Sequence, residues 1–307
     1  MYYNRNLIGA DKSAVTPRDA SGIFDLRSQE KHQRHQNWPG SVDSYLTYTI
    51  NVTDTSTPFD VRQNGSNNIS IDWGDGSSEV SNAASVTHTY SSNGIYKIKI
   101  DIALGSNSYR PNFSTVSSAS RNQLIKLETG RYVAGSLDSS FRNCTNLVEI
   151  IAPYNSFSSV DNFRRVFRDC SSLKVFPFIE TKHVANFENA WWGCSSLTTF
   201  PKLDFTASTK FNGTWNNCTS LADFPPKMFD KTGNFTSTNN FSSAWNNCAL
   251  TAQSIENILV SLDTNGVTGI PLTISGGTNA SYSTWSQAAK DALTSLQNKS
   301  WTVAYNS

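Results

Sequence analysis

Apolar side chains recur through the middle of the chain at fixed offsets from five cysteines. These are Cys144, Cys170, Cys194, Cys218 and Cys248, separated by 26, 24, 24 and 30 residues. An aromatic residue stands three positions before each one: Phe141, Phe167, Trp191, Trp215 and Trp245. Seven before come Leu137, Phe163, Phe187, Phe211 and Phe241. Leu147, Leu173, Leu197 and Leu221 stand three after, and Ile150, Phe176, Phe200 and Phe224 six after, with Pro177, Pro201 and Pro225 next to the last three. Self-similarity at this period signals stacked units, none of which can bury its apolar face alone. Offsets of 0, 4 and 7 fit a helical stripe, so FENAWWGC (187–194) predicts one or two helical turns. SSLTTFP (195–201) then predicts a short strand closed by proline, which cannot donate to a further ladder.

The flanks carry other periods. SYLTYTINV alternates apolar and polar, and NISIDWGDGSS, VTHTY and IYKIKIDIA predict further strands, so residues 41–104 read as all-β. After Cys248 the repeat breaks. Ile255, Ile258, Leu259 and Leu262 share one helical face, stopped at Asp263-Thr-Asn265-Gly266. IPLTIS (270–275) predicts a strand. Trp285, Ala288, Ala289, Ala292, Leu293 and Leu296 mark a second helix, and WTVAY (301–305) a last strand. The expected division is 1–40 N-terminal docking arm, 41–104 sandwich, 105–134 linker or N-terminal cap, 135–250 repeats and 251–307 C-terminal cap.

Three resemblances follow from these motifs. The "F/W-x-x-C-[ST]-x-L" core over about residues 135–250 resembles the BspA-like leucine-rich repeats of bacterial surface proteins. IDWGDGS, HTY and G-x-Y-x-I-x-I, carried by Trp73, Gly74, Asp75, Gly76, His88, Thr89, Tyr90, Gly94 and Tyr96, resemble the PKD domain, an immunoglobulin-like β-sandwich. SGIFDLRSQ with a following WPG is similar to a stretch near the start of tail-fibre-like and other bacteriophage virion proteins, and the C-terminal tail looks like endings common in phage structural proteins. Together they imply a multidomain, mainly β fold: a PKD/immunoglobulin-like β-sandwich, then a leucine-rich-repeat-type α/β solenoid with a helical C-terminal cap.

Composition narrows the chemistry. The net charge is +1 and only 16% of residues are charged, so no charge excess points to nucleic acid or an anionic membrane surface. Polarity comes from neutral side chains, 44 Ser and 31 Asn. No apolar run is long enough to span a membrane. Five cysteines cannot all pair within the chain, and they show no CxxC clustering for a metal, so they read as small apolar knobs in a core. Asp72 and Asp75 are close enough for a catalytic pair or a Ca²⁺ site, but Asp beside Gly in a turn more often caps its own backbone. His88 reads as locally bonded. His32 and His35 have ligand spacing on a short predicted helix, but no carboxylate or cysteine accompanies them. Glu180, Glu188 and Asp204 are scattered acids that only the fold can bring together.

The start of the chain, MYYNRNLIGADKSAVTPRD, has no apolar leader, and unpaired thiols suit assembly in a reducing compartment. The expectation is a non-enzymatic structural component of a phage virion without cofactor or metal. It docks onto other virion proteins through residues 1–40, with Phe24, Leu26 and Trp38 as contacts. Its repeat domain presents a surface for a host glycan or protein, with a homo-oligomer left open and neither nucleic-acid binding nor membrane insertion expected. Glu149, Val175, Thr199 and Asp223, five after successive cysteines, are expected to face outward as binding residues. Trp192 is expected either to stack on a sugar ring or to pack against the next unit. The alternatives are a BspA-like bacterial surface adhesin and, less favoured, a polysaccharide depolymerase.

Overall fold

A computed structural model describes residues 45–65, 68–102, 109–130, 135–232 and 240–307. Phe24, Leu26, Trp38, His32 and His35 lie outside these residues. Residues Val42–Ser307 form one compact unit.

The N-terminal strands are β1 (Tyr45–Val52), β2 (Phe59–Arg62), β3 (Ile69–Asp72), β4 (Ser78–Ser81), β5 (Ser85–His88) and β6 (Gly94–Ile102). Period-2 patterning puts Leu46, Tyr48, Ile50 and Val52 of β1 inside, with Ile69, Ile71, Ile98 and Ile100 beside them. A short helix α1 (Ser118–Arg121), capped by Ser117, leads into β7 (Leu124–Thr129). β8 (Glu149–Ile151) belongs to the first repeat unit. One six-stranded sheet runs β4-β3-β6-β1-β7-β8, and β2-β5 form a second, two-stranded sheet. β7 pairs antiparallel with β1 and parallel with β8, so a single sheet carries the N-terminal strands into the repeats.

Each repeat unit is a pair of tight turns. Its apolar columns are buried as expected: Phe141, Phe167, Trp191, Trp215 and Trp245 are at most 1% exposed and all five cysteines 0%. Rings of one column stack on the next, as in Phe141–Phe167 (5.6 Å), Phe211–Phe241 (5.1 Å) and Trp215–Trp245 (4.8 Å). Backbone amides at −7, −5, −3 and −1 from each of the first four cysteines donate to the following unit. Thus Leu137, Ser139, Phe141 and Asn143 donate to the carbonyls of Asn162, Arg164, Val166 and Arg168. The same four offsets recur from Phe163 and from Phe187.

The helix expected in each unit does not form. Residues at −5 (Ser139, Arg165, Asn189, Gly213, Ser243) and at −1 (Asn143, Asp169, Gly193, Asn217, Asn247) all have φ between +54° and +74°. A left-handed residue ends right-handed helix propagation, so two per unit replace the helix by turns closed i to i−3, such as Ser140 to Leu137 and Cys144 to Phe141. The expected strand shrinks as well. Beyond β8 it consists of the single parallel bridges Val175–Thr199 and Thr199–Asp223. Pro177, Pro201 and Pro225 follow two residues later and offer no N–H.

The C-terminal elements follow their local signals. α2 (Ala252–Asn265) starts at Thr251, whose hydroxyl accepts the Ser254 amide, and stops at left-handed Gly266. β9 (Pro271–Ile274), α3 (Gln287–Asn298) and β10 (Thr302–Tyr305) complete a parallel β-α-β unit. Ala288, expected on the buried face of α3, is exposed. β9 accepts the forward-pointing amides of the last unit: Trp245 and Asn247 donate to the carbonyls of Thr273 and Ser275. α2 covers other backbone groups, with Ser254 and Ser261 accepting the amides of Phe224 and Phe229.

The fold is therefore mixed α/β, with three α-helices, one six-stranded sheet and two two-stranded sheets among the described residues. This corrects the expected mainly β sandwich followed by a leucine-rich-repeat solenoid. The units carry neither the helix nor the continuous strand of that plan, and the large sheet runs from the N-terminal strands into the first unit.

The turn geometry predicts a cost at Gly213. Its φ is +62°, and an added Cβ would run into the Asn189 side chain and come 3.1 Å from Trp192 Cε3. Gly213→Ala is expected to lower unfolding free energy by about 1–3 kcal/mol, measured by guanidinium denaturation. Cys194→Ala, which removes a fully buried side chain, is expected to cost a similar ~1–3 kcal/mol.

Candidate functional site

The thiols, read from the sequence as packing residues, lie in surroundings that leave them no chemistry. Cys170, Cys194, Cys218 and Cys248 each donate Sγ–H to the carbonyl of the aromatic residue at −3 in the preceding unit: Phe141, Phe167, Trp191 and Trp215, at 3.1–3.2 Å. All five are free and buried. Burial raises every one of these thiols, Cys248 to about 12, so thiolate is scarce at neutral pH. The cysteine is thus a packing residue with one weak donor, which the preceding carbonyl accepts.

The acids at the sheet edge act as turn caps. Asp72 Oδ1 accepts the Gly74 amide (2.9 Å), and Asp75 Oδ1 accepts both the amide and the hydroxyl of Ser77 (3.0 and 2.6 Å). Asp75 Oδ2 lies 2.7 Å from His88 Nε2. His88 in turn stacks on Trp73 (4.8 Å) and meets Tyr90 edge-on (4.6 Å), and the Tyr90 hydroxyl donates to the Trp73 carbonyl (2.9 Å). Gly74 is required here: at φ +79°, a Cβ would collide with the Lys97 backbone. These motif residues tie the β3–β4 turn to the end of β5. The hydroxyl of Ser77, then its amide and His88, hold the Asp75 carboxyl at about 2 against the opposing effect of burial.

The other acids find separate partners. Glu180 pairs with Lys182 and Glu188 with Arg164 (3.4 Å) and Arg165 (3.8 Å), while Asp204 Oδ1 accepts the Thr206 amide (2.9 Å). Among the described residues no three His, Cys, Asp or Glu side chains gather as a metal site. No described helix is long and apolar enough to cross a membrane.

The residues expected to face outward do so. Glu149, Val175, Thr199 and Asp223 are all exposed. Val175, Thr199 and Asp223 form one row through their parallel bridges. Glu149 sits on β8 and pairs with Lys126 of β7 (3.2 Å). With Val175 at 58%, Val148 at 43% and Ile151 at 43% exposure, apolar side chains share this face with charged ones. Trp192 is half-buried. The Arg168 guanidinium sits 4.6 Å from its ring centroid and Gly213 of the next unit approaches Cε3, so the ring packs between units.

A shallow open groove of about 360 Å³ adjoins this face, lined by Asn51, Thr53, Ala119, Asn122, Gln123, Ile125, Asn146, Val148 and Ser172. These residues come from the end of β1, the α1–β7 segment and the first two repeat units. Their separation in sequence hides the site, and the abundance of Asn and Ser is its only compositional trace. Compared with known proteins, the chain matches no family model, no curated protein and no solved structure.

Two measurements check these assignments. A thiol reagent such as DTNB is expected to leave all five cysteines unlabelled in the native protein and to label all five in guanidinium; fast labelling of native protein contradicts the buried ladder. Asp75 has a folded value below its unfolded ~3.9, so its stabilisation is present above pH 4 and is lost as pH falls through about 2. Asp75→Asn is expected to lower stability at pH 7 by up to about 1 kcal/mol after allowance for solvent screening. The wild-type and variant curves should converge as the acid limb is descended.

Proposed function

We propose that this chain is a non-catalytic structural component of a phage particle that presents the exposed row of its repeat units for recognition of a host surface. The observation that carries the reading is the division within each unit. Interior positions repeat, as five cysteines and their stacked aromatics, whereas the outward position changes from Glu149 to Val175, Thr199 and Asp223. A scaffold that repeats inside and varies outside suits a surface selected for contact rather than for packing. The free thiols favour folding in a reducing cytoplasm before any release to the outside. The likeness of SGIFDLRSQ with its following WPG, and of the C-terminal tail, to phage structural proteins supports the virion assignment, with residues 1–40 as the docking arm for other virion proteins.

Mass spectrometry and immunogold labelling of purified particles, using antibody against the recombinant chain, test this. The chain is expected at fixed stoichiometry in intact particles. Its recovery only from the soluble fraction, or on the bacterial envelope, overturns the reading. Val175→Asp together with Thr199→Arg is expected to reduce particle adsorption to host cells at least tenfold without changing the thermal midpoint by more than a few degrees, because both positions are exposed.

A further inference from the structure

The groove beside the first repeat units has a chemistry that the exposed row lacks. Every polar residue lining it is neutral: Asn51, Thr53, Asn122, Gln123, Asn146 and Ser172 surround apolar Ala119, Ile125 and Val148. Its walls are held in place by their own bonds. Asn146 Nδ2 donates to the Asn122 carbonyl (2.7 Å), and Asn122 Oδ1 accepts the Thr145 hydroxyl (2.9 Å). Gln123 Nε2 donates to the Thr57 carbonyl (3.1 Å). Gln123 is only 6% exposed, and its Oε1 has no hydrogen-bond partner. The amide rows are thus fixed before any ligand arrives, which lowers the ordering cost of binding.

Three main-chain amides along the groove are already paired. The amides of Asn51, Val148 and Ser172 donate to the carbonyls of Gln123, Ile125 and Thr145 at 2.8, 2.9 and 3.2 Å. An extended peptide would therefore find these ladder amides already taken. What remains is a set of side-chain amides and hydroxyls, which both donate and accept, over a small aliphatic floor. A ligand matching that set carries many hydroxyls, no net charge and one C–H-rich face. A neutral hexopyranose fits in chemistry, and the volume of about 360 Å³ holds one or two rings.

We propose that this groove binds an uncharged sugar unit of a surface glycan. The assignment rests on the surface-recognition reading in one respect only, that the ligand is displayed on a cell. The groove itself can be tested with free sugars. The lining contains no aromatic ring, so affinity for one sugar should be weak, in the millimolar range.

Saturation-transfer difference NMR on the full chain, with glucose, galactose, mannose, N-acetylglucosamine and their methyl glycosides, tests it beside glucuronic acid, sialic acid and an unrelated tripeptide. At least one neutral hexose is expected to give a saturable signal, with the acidic sugars and the peptide giving none. Asn51→Ala and Ser172→Ala, whose side chains hold no described bond, are expected to weaken binding at least fivefold with the fold intact by circular dichroism. Val148→Trp, which fills the groove, is expected to abolish it. Absence of any neutral-sugar signal, preference for a charged sugar or the peptide, or binding unchanged in all three variants overturns the proposal. Adsorption of the same variants to cells separates the two readings: adsorption that survives the loss of sugar binding leaves surface recognition standing without the groove. Sugar binding by a chain that never appears on particles leaves the groove standing without the virion role.

Discussion

The structure depends on a hydrogen-bond ladder that points one way. In each of the first four repeat units the amides at −7, −5, −3 and −1 reach forward, and the carbonyls one residue before those positions in the following unit receive them. Alternate amides share a direction, as they do along a strand, while the intervening amides at −4, −2 and 0 fold back onto carbonyls three residues earlier, with left-handed residues at −5 and −1 making the turns. Two consequences follow. Units must lie in register to within one residue, which stacks the rings of equivalent columns at 5–6 Å. The two ends also cannot be equivalent, because one leaves carbonyls and the other leaves amides. At the first end the Phe113 amide donates to the Ser140 carbonyl. At the last end β9 offers the carbonyls of Thr273 and Ser275.

The cysteine follows from the same ladder. The carbonyl at −3 already accepts the cysteine amide of its own unit and has room for a second donor from the next one. A thiol meets that need while remaining small and apolar enough for a fully buried column. A larger donor would force the units apart, and alanine would leave the carbonyl half-satisfied beside a void. That reason for recurrence is structural, and it fits the upward shift of the thiols, which no catalytic cysteine would show.

Much of this was legible along the chain, and the errors have a physical source. The aromatic and cysteine columns stood out because equivalent interior slots impose equivalent residues. α2 and α3 were readable because Thr251, Ser286 and Gly266 state their boundaries locally. The repeat turns were misread as helix because offsets of 0, 4 and 7 are also what two successive four-residue turns produce. The discriminating signal lay at −1, where Asn143, Asp169, Gly193, Asn217 and Asn247 are the residue types that accept a left-handed backbone. The −5 column carries the mark only at Asn189 and Gly213, and not at Ser139, Arg165 or Ser243. The outward positions followed from alternation with the buried residue six after each cysteine. The groove did not, since Asn51, Gln123, Asn146 and Ser172 meet only once β7 inserts between β1 and β8.

The charge distribution limits what kind of recognition this surface can perform. With a net charge of +1 and few ionisable side chains, no long-range field steers a ligand. The ion pairs that exist are short local ones, such as Lys126–Glu149 and the Asp138–Arg164–Glu188 column that links three units. They use part of the charge within the scaffold, while Glu149 and Asp223 still face outward. Short-range hydrogen bonds and modest apolar patches, whose strength changes little with ionic strength, make up much of what else the exposed row and the groove offer. For the surface-recognition role proposed above, neutral amides set rigidly on a stacked backbone are a consistent solution. They gain selectivity from position rather than from charge, and their position is held by the same forward-pointing ladder that stacks the units.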